Sequence, residues 1–383
     1  MGIKSLNEIL KNFNIYSRIH LSNFAYKKIA IDTSLYVYKY KYSSSEEWLN
    51  SFINMLVSLR RNEIHCVFIF DSKAPEEKIE EQMRRREVRD KDSEKINSII
   101  DSYDKYLETS IFDNNLIELC KRLEKTENSK KVKSLLPVLE KPIENIIQNE
   151  STENKSIMIK NYIEKSKSRI IKITDEDFDK VKKLLNCFGI PFFLAPQEAE
   201  CYCSDLCKKG YVDAVLSDDT DVLAYGANIF LSKIDIYNDE CDVIVYEEML
   251  KKMDMKYEEF LDMCILCGTD YNKNIEGIGT NRSYEIINKY KSIENFRDYI
   301  NSADEKKLKK YEKNLINRID DLLDYNKIRK LFTNYITNED ICINYCEKPD
   351  WEKVKLFIKE NNCNIDIKNI EYAFSQPEIN FID

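Results

Sequence analysis

The stretch Ile29-Ala30-Ile31-Asp32 decides the fold: three apolar residues run directly into an aspartate. Two other segments repeat the pattern. Val67-Phe68-Ile69-Phe70 runs into Asp71, and Ala214-Val215-Leu216 into Ser217-Asp218-Asp219-Thr220-Asp221. Short β-rich runs of this kind read as strands buried in a parallel sheet. In open α/β sheets, ligands bind beyond the carboxyl ends of the strands, so these carboxylates should meet at one edge. Glu198-Ala199-Glu200 and Asp270 are candidates to join them. So many acids in one crevice repel one another unless positive charge sits among them. Oxygen-ligated divalent metal, Mg²⁺ or Mn²⁺, is the least strained answer.

The chain has 383 residues, enough for one large α/β domain or two smaller ones. One third is charged and the net charge is −9, which on its face argues against nucleic acid. The seven candidate carboxylates supply most of that excess, and local basic patches decide nucleic-acid binding better than the total. Twelve cysteines stand against two histidines, His20 and His65, which argues against a histidine-based zinc site or a histidine general base. The Cys264/Cys267 and Cys342/Cys346 pairs read as buried free thiols, and a reducing intracellular compartment is expected. No signal peptide, myristoylation pattern or apolar run of membrane length is visible, so no membrane partner is expected.

Residues 1–90 read as helix, strand, helix, strand, helix. Ser45 to Arg61 is amphipathic, with Trp48, Phe52, Met55, Leu56 and Leu59 on one face, and links the Asp32 and Asp71 strands. Residues 91–172 lack glycine and read as a helical insertion or arch, with Glu124–Lys133 and Gln148–Lys155 the least ordered parts. Residues 173–256 return to the α/β pattern. Thr174 and Asp177 suggest a capping box, Gly189 a helix end, Ile190–Leu194 a strand, and Pro196 the start of a helix carrying Glu198 and Glu200. Residues 257–300 read as a helix over Tyr257–Cys267, then Ile275 to Arg282 and an amphipathic helix through Tyr290, and 301–383 as a helical region.

Each constellation has a bland reading beside the functional one. Asp32 or Asp71 alone could be a helix cap, and Asp219 and Asp221 could serve turn chemistry. Glu198 and Glu200 could answer a helix dipole. Two residues apart on a helix diverge, so one should ligate directly and the other through water. Lys78, Gln82, Arg85 and Arg89 form one helical stripe, which is either a solvated face or a clamp on a phosphodiester. Gly277-Ile278-Gly279 before Arg282 is either an ordinary interhelical turn or a backbone phosphate cradle.

In this order the blocks resemble the flap endonuclease family of structure-specific 5′-nucleases. The match is carried by Met1 to Leu6, Ile29 to Ser34, Val67 to Pro75, Gly189-Ile190-Pro191 with Ala195 to Glu200, Asp218 to Leu223, and Cys267 to Tyr271 with Ile275 to Gly279. It covers most of residues 1–90 and 173–300. The resemblance implies an α/β fold with a central, mostly parallel sheet, a PIN-like 5′-nuclease core, a helical arch and a helix-two-turn-helix module for duplex DNA. Asp32, Asp71, Glu198, Glu200, Asp219, Asp221 and Asp270 match the family's metal positions. Lys78 and Arg85 match the basic residues that engage the scissile phosphate. Tyr38 matches an aromatic that stacks on the base beside the cut, and Gly2 a short residue near the DNA junction. The long segment after Arg89, the absence of a basic tail and the incomplete clamp-binding peptide at Gln376-Pro377-Glu378-Ile379 depart from the pattern.

The resulting expectation is a monomeric nuclease with two Mg²⁺ ions, for which Mn²⁺ can substitute. It cuts 5′ flaps or related branched DNA in replication, repair or recombination, with 5′-exonuclease action a further option. It would work in the nucleus or at a cytoplasmic DNA-replication site. The rivals are an endoribonuclease on the same fold and a non-catalytic module that binds branched DNA.

Overall fold

The computed structural model describes residues 2–72, 75–135, 152–167, 171–273, 275–333 and 341–375. Seven strands form one sheet: β1 (Ser17–His20), β2 (Lys28–Asp32), β3 (His65–Phe70), β4 (Phe192–Leu194), β5 (Ala214–Leu216), β6 (Ile229–Asp235) and β7 (Glu240–Val245). Their order is β1-β7-β6-β5-β2-β3-β4. The five strands from β6 to β4 are parallel, and β7 and β1 add antiparallel to one edge. The fold is therefore α/β with a mostly parallel sheet, as the three apolar runs require. Ile29, Ala30, Ile31, Val67, Phe68 and Ile69 are fully buried, which explains why these strands read as continuous apolar runs rather than alternating ones.

The edge strand β1 and the β6–β7 hairpin are additions to the strands expected from sequence. β1 is mostly exposed, so it lacks an apolar signature. Helix Trp48–Arg61 crosses between β2 and β3, and its Phe52 ring lies 5.6 Å from that of Phe68. Chain order leaves β2 to β3 on one side and reaches β5 on the other, so the gap between β2 and β5 is a topological switch point.

Two compact units divide the described chain: residues 1–40, 46–81 and 174–383 in one, and 41–45 with 82–173 in the other. The second unit contains most of helix Ile79–Thr109, with helices Asn114–Leu135 and Thr152–Lys167. Ile99, Leu116, Leu119, Cys120, Ile159 and Ile163 give it a small core of its own. Glu124–Lys133, expected to be poorly ordered, is helical. The apolar spacing that ties this helix into its unit lies upstream, at Leu116, Leu119 and Cys120. Residues 148–151 of the other such stretch, and the clamp-like peptide at 376–379, lie outside the described residues.

In the first unit, helices Tyr257–Cys267 and Thr280–Tyr290 pack together. Arg329, on helix Tyr325–Thr333, ties this pair to its neighbours with a fork of hydrogen bonds to Asp262 (2.6 Å twice) and to Glu294. All twelve cysteines are free thiols; Cys264 and Cys267 are buried as expected, but Cys342 is exposed and Cys346 only half-buried, because they lie on an irregular segment rather than on a packed helix.

Candidate metal centre

At or just beyond the carboxyl ends of β5, β2 and β3, which are neighbours in the sheet, lie Asp219, Asp32 and Asp71. The arrangement follows from topology: adjacent parallel strands deliver their following residues to the same edge. Asp32 accepts hydrogen bonds from Leu35 N and Ser217 Oγ, both at 3.3 Å. Asp71 accepts from Ala199 N at 2.7 Å and so fixes the start of helix Ala199–Lys208 against β3. Asp219 Oδ1 accepts from Asp221 N at 3.0 Å. Neighbouring Asp218 turns elsewhere, pairing with Lys39 at 2.7 Å and accepting from Lys233 N at 2.6 Å.

That helix begins at Ala199, not at Pro196, and Glu198 is its N-cap with extended backbone (φ −91°, ψ 142°). This overturns the expectation that Glu198 and Glu200 diverge. Because Glu198 precedes the helical turn, both side chains reach one cation, the ammonium of Lys78. Lys78 Nζ hydrogen-bonds Glu198 Oε1 and lies 3.2 Å from both Glu200 Oε1 and Asp270 Oδ2. Lys78 is buried, only 7% exposed. The sequence placed it on a stripe facing a phosphate; the structure seats it among the carboxylates.

Electrostatics binds all seven acids into one system. Desolvation, then the charges of Glu200 and Asp71, hold the Asp32 carboxyl well above its usual range. Asp221 is raised likewise by burial and by Asp219 and Asp270. Burial and Glu200 push Asp219 up to about 6 and Glu198 up to about 7. Asp71 is the exposed member, yet loss of hydration and Glu200 raise it as well. Burial alone would lower Lys78, but Glu200, Glu198 and Asp270 together raise it.

Asp221, 1% exposed, has an Oδ1 atom with no hydrogen-bond partner. A buried carboxylate oxygen left unsatisfied is costly. An all-oxygen donor set with mutual repulsion and an orphaned lone pair fits a hard divalent cation. Among the described residues, no three candidate ligands converge tightly enough to hold an ion as they stand. Lys78 holds three of the acids, and backbone amides hold Asp32, Asp71 and Asp219, so ligation requires side-chain rotation.

The remaining predicted residues sit nearby or apart as follows. Gly2 lies against Asp219; with φ +84°, a Cβ there would come 2.1 Å from Asp219 Oδ1. Its segment is tied to the helix pair by Lys4 N donating to Gly268 O (3.2 Å) and Thr280 Oγ1 to Lys4 O (3.2 Å). Tyr38 is half-buried on helix Thr33–Ser44. Gly277 turns with φ +83°, Gly279 caps helix Thr280–Tyr290, and Arg282 donates to Gly277 O and lies over the Tyr311 ring at 4.3 Å. Arg85 lies two turns along helix Ile79–Thr109 from Lys78, within the second unit.

Sequence reading overlooked Tyr271 and Tyr225. Tyr271 OH donates to Glu198 Oε2 at 2.6 Å and meets Tyr225 OH at 2.5 Å. Both rings pack on Phe332, at 4.8 Å for Tyr225 and 5.3 Å for Tyr271. Tyr271 directly follows Asp270 and lies within the Cys267–Tyr271 block that carries the family resemblance, which is its signal in the sequence.

A carboxylate pocket at the switch point of a parallel sheet, beside a turn-linked helix pair, defines an α/β nuclease core. Residues 1–92 match the XPG N-terminal domain and residues 189–270 the XPG I-region. "Probable RAD2-like endonuclease 369L" of Invertebrate iridescent virus 6 is 32% identical over 99% of this chain and 93% of its own length. "Flap endonuclease 1-2" of Paramecium tetraurelia is 26% identical over 94% of this chain and 83% of its own. The chain belongs to the XPG/RAD2-like family of structure-specific nucleases and hydrolyses phosphodiester bonds. The same fold occurs in the catalytic core of Rad2 in complex with DNA substrate, with TM-score 0.65, 18% identity, and 97% and 98% of the two chains covered. It occurs again in flap endonuclease-1 from Methanococcus jannaschii, with TM-score 0.57, 20% identity, and 94% and 95% covered.

Proposed function

We propose that this nuclease is a Mg²⁺-dependent endonuclease that cuts 5′ flaps or related branched DNA near the single-strand/duplex junction. The observation that supports this reading is the electrostatic coupling of seven acids from separate segments, three of which share the ammonium of the buried Lys78. Asp32, Asp71, Glu198, Glu200, Asp219, Asp221 and Asp270 are the residues that would hold two divalent ions, with Mn²⁺ an accepted substitute. When bound, such ions supply an activated water and stabilise the leaving oxygen.

The chain's own residues do the rest. Lys78, freed from Glu198, Glu200 and Asp270 as those acids turn to ligands, offers its ammonium to the scissile phosphate. Arg85 adds charge during the chemical step. The backbone of Gly277 and Gly279 and the Arg282 side chain anchor duplex phosphates. Gly2, whose missing side chain leaves the Asp219 edge open, admits the junction, and Tyr38 offers a stacking face for the adjacent base.

Twelve free thiols support work in a reducing intracellular compartment, at a site of DNA replication or repair. Among the described residues no helix is long and apolar enough to cross a membrane. Cleavage of labelled flap, gapped, bubble and blunt DNAs, with matched RNA strands, tests the reading. Mg²⁺-dependent cutting focused at the flap junction is expected. Preference for RNA would favour the endoribonuclease, and binding without turnover the non-catalytic module.

A further inference from the structure

Behind Glu198 and Tyr271 lies a second cleft of about 230 Å³, whose other wall is formed by Lys327, Lys330 and Leu331 with Pro75. Its wall is held rigidly. Helix Tyr325–Thr333 buries Tyr325, Ile328 and Phe332 and is locked by the Arg329 fork to Asp262 and Glu294. That leaves Lys327 and Lys330, three residues apart, on the face lining the cleft. Lys327 pairs with Glu77 at 3.0 Å. Lys330 is exposed and, among the described residues, has neither a hydrogen bond nor an ion pair.

We propose that this cleft is a binding site for a backbone phosphate of the single strand on the 5′ side of the cut. The proposal rests on the reading of the chain as a flap-cutting nuclease. The cleft shares Glu198 with the acid cluster around Lys78, so it adjoins the place where a scissile phosphate would meet the acids. Its size admits one phosphate with its sugar and excludes a duplex. The helix-pair residues Gly279, Thr280 and Arg282 line a different cleft, of about 750 Å³, together with Lys4. The two clefts share no residue, which separates the duplex side from the strand leaving on the Glu198 side. Two lysines opposite a wall of acid and tyrosine also make a selective element: they attract phosphate while leaving the bases unread.

The test compares binding in EDTA of three labelled substrates: a five-nucleotide 5′ flap, a nicked duplex without a flap, and the same flap with a methylphosphonate as the first linkage 5′ of the scissile phosphate. Lys330→Glu should weaken flap binding about tenfold and flatten its salt dependence by about one phosphate contact. Nicked duplex should bind as before. The neutral linkage should weaken wild type, add nothing to Lys327→Gln/Lys330→Gln, and partly relieve the loss in Lys330→Glu. Lys327→Gln/Lys330→Gln, which introduces no new carboxylate, should shift affinity in the same direction, with Mn²⁺ binding and melting temperature unchanged. Equal losses on flap and nicked duplex, or an additive methylphosphonate effect, would overturn the site. If wild type cuts flaps and Lys330→Glu binds them normally, this site alone fails. Wild type that neither prefers nor cuts flaps overturns the reading beneath it.

Discussion

Replacing Asp219 with asparagine should make the metal-free protein more stable while abolishing cleavage. Asp219 is buried, and desolvation with the Glu200 charge moves it from 3.8 to about 6. An acid whose pKa is raised by folding is bound more tightly by its proton in the folded state. Ionising it therefore costs stability, and the cost grows as pH rises above the unfolded value. It is small at pH 4 and levels off at about 3 kcal/mol above pH 7. Asparagine removes the charge and keeps an oxygen for Asp221 N, which the carboxylate now accepts at 3.0 Å. At about 2 °C per kcal/mol for a domain of this size, the variant should melt about 4–6 °C above wild type in EDTA at pH 8. The gap should close towards pH 4. Millimolar Mg²⁺ or Mn²⁺ should raise the melting temperature of wild type and do so far less for Asp219→Asn, which should bind flap DNA but not cut it. Calorimetry at three pH values with and without metal, alongside single-turnover cleavage, decides the matter. A variant less stable than wild type in EDTA at pH 8, or one with normal turnover, would refute the argument that stored repulsion drives metal binding here.

Lys78→Met should destabilise the metal-free protein by about 3 kcal/mol, because Glu198, Glu200 and Asp270 lose their shared cation. Denaturation in EDTA should show the loss and added Mn²⁺ should reduce it, while single-turnover rate falls far more than DNA affinity. Tyr271→Phe should leave Glu198 Oε2 without its 2.6 Å donor and lower Mn²⁺ affinity roughly tenfold, measured by titration calorimetry without DNA. Unchanged affinity would reduce Tyr271 to packing. Arg329→Lys should cost about 2–3 kcal/mol in urea unfolding, since one ammonium cannot replace a fork reaching both Asp262 and Glu294. Stability within experimental error of wild type would deny the fork that role.

The sheet and the location of the site were legible in the chain because buried parallel strands leave an unambiguous mark. Ile29–Ile31, Val67–Phe70 and Ala214–Leu216 could be recognised without any partner, and parallel pairing then forces their trailing aspartates to one edge. Periodicity also located the Trp48–Arg61 crossover, and local chemistry the Thr174–Asp177 capping box, in which Thr174 N donates to Asp177 at 2.8 Å. These features depend on neighbours in sequence or on repeating burial, so they survive without coordinates.

Only the tertiary structure decided which charges face one another. Asp218 and Asp219 are indistinguishable as a dipeptide, yet one pairs with Lys39 and the other joins the cluster. Lys78 read as part of an exposed stripe, but its ammonium lies among acids more than a hundred residues away in sequence. Glu198 and Glu200 converge because a backbone turn, set partly by Asp71 capping Ala199 N, starts the helix after Glu198. The Tyr271–Glu198 bond and the lysine-lined cleft arise from packing of Phe332 between remote segments. Sequence determines strand identity through burial patterns that are local. Ion pairing, desolvation and pKa depend on distances of a few ångströms between segments, and those are fixed only when the chain closes on itself.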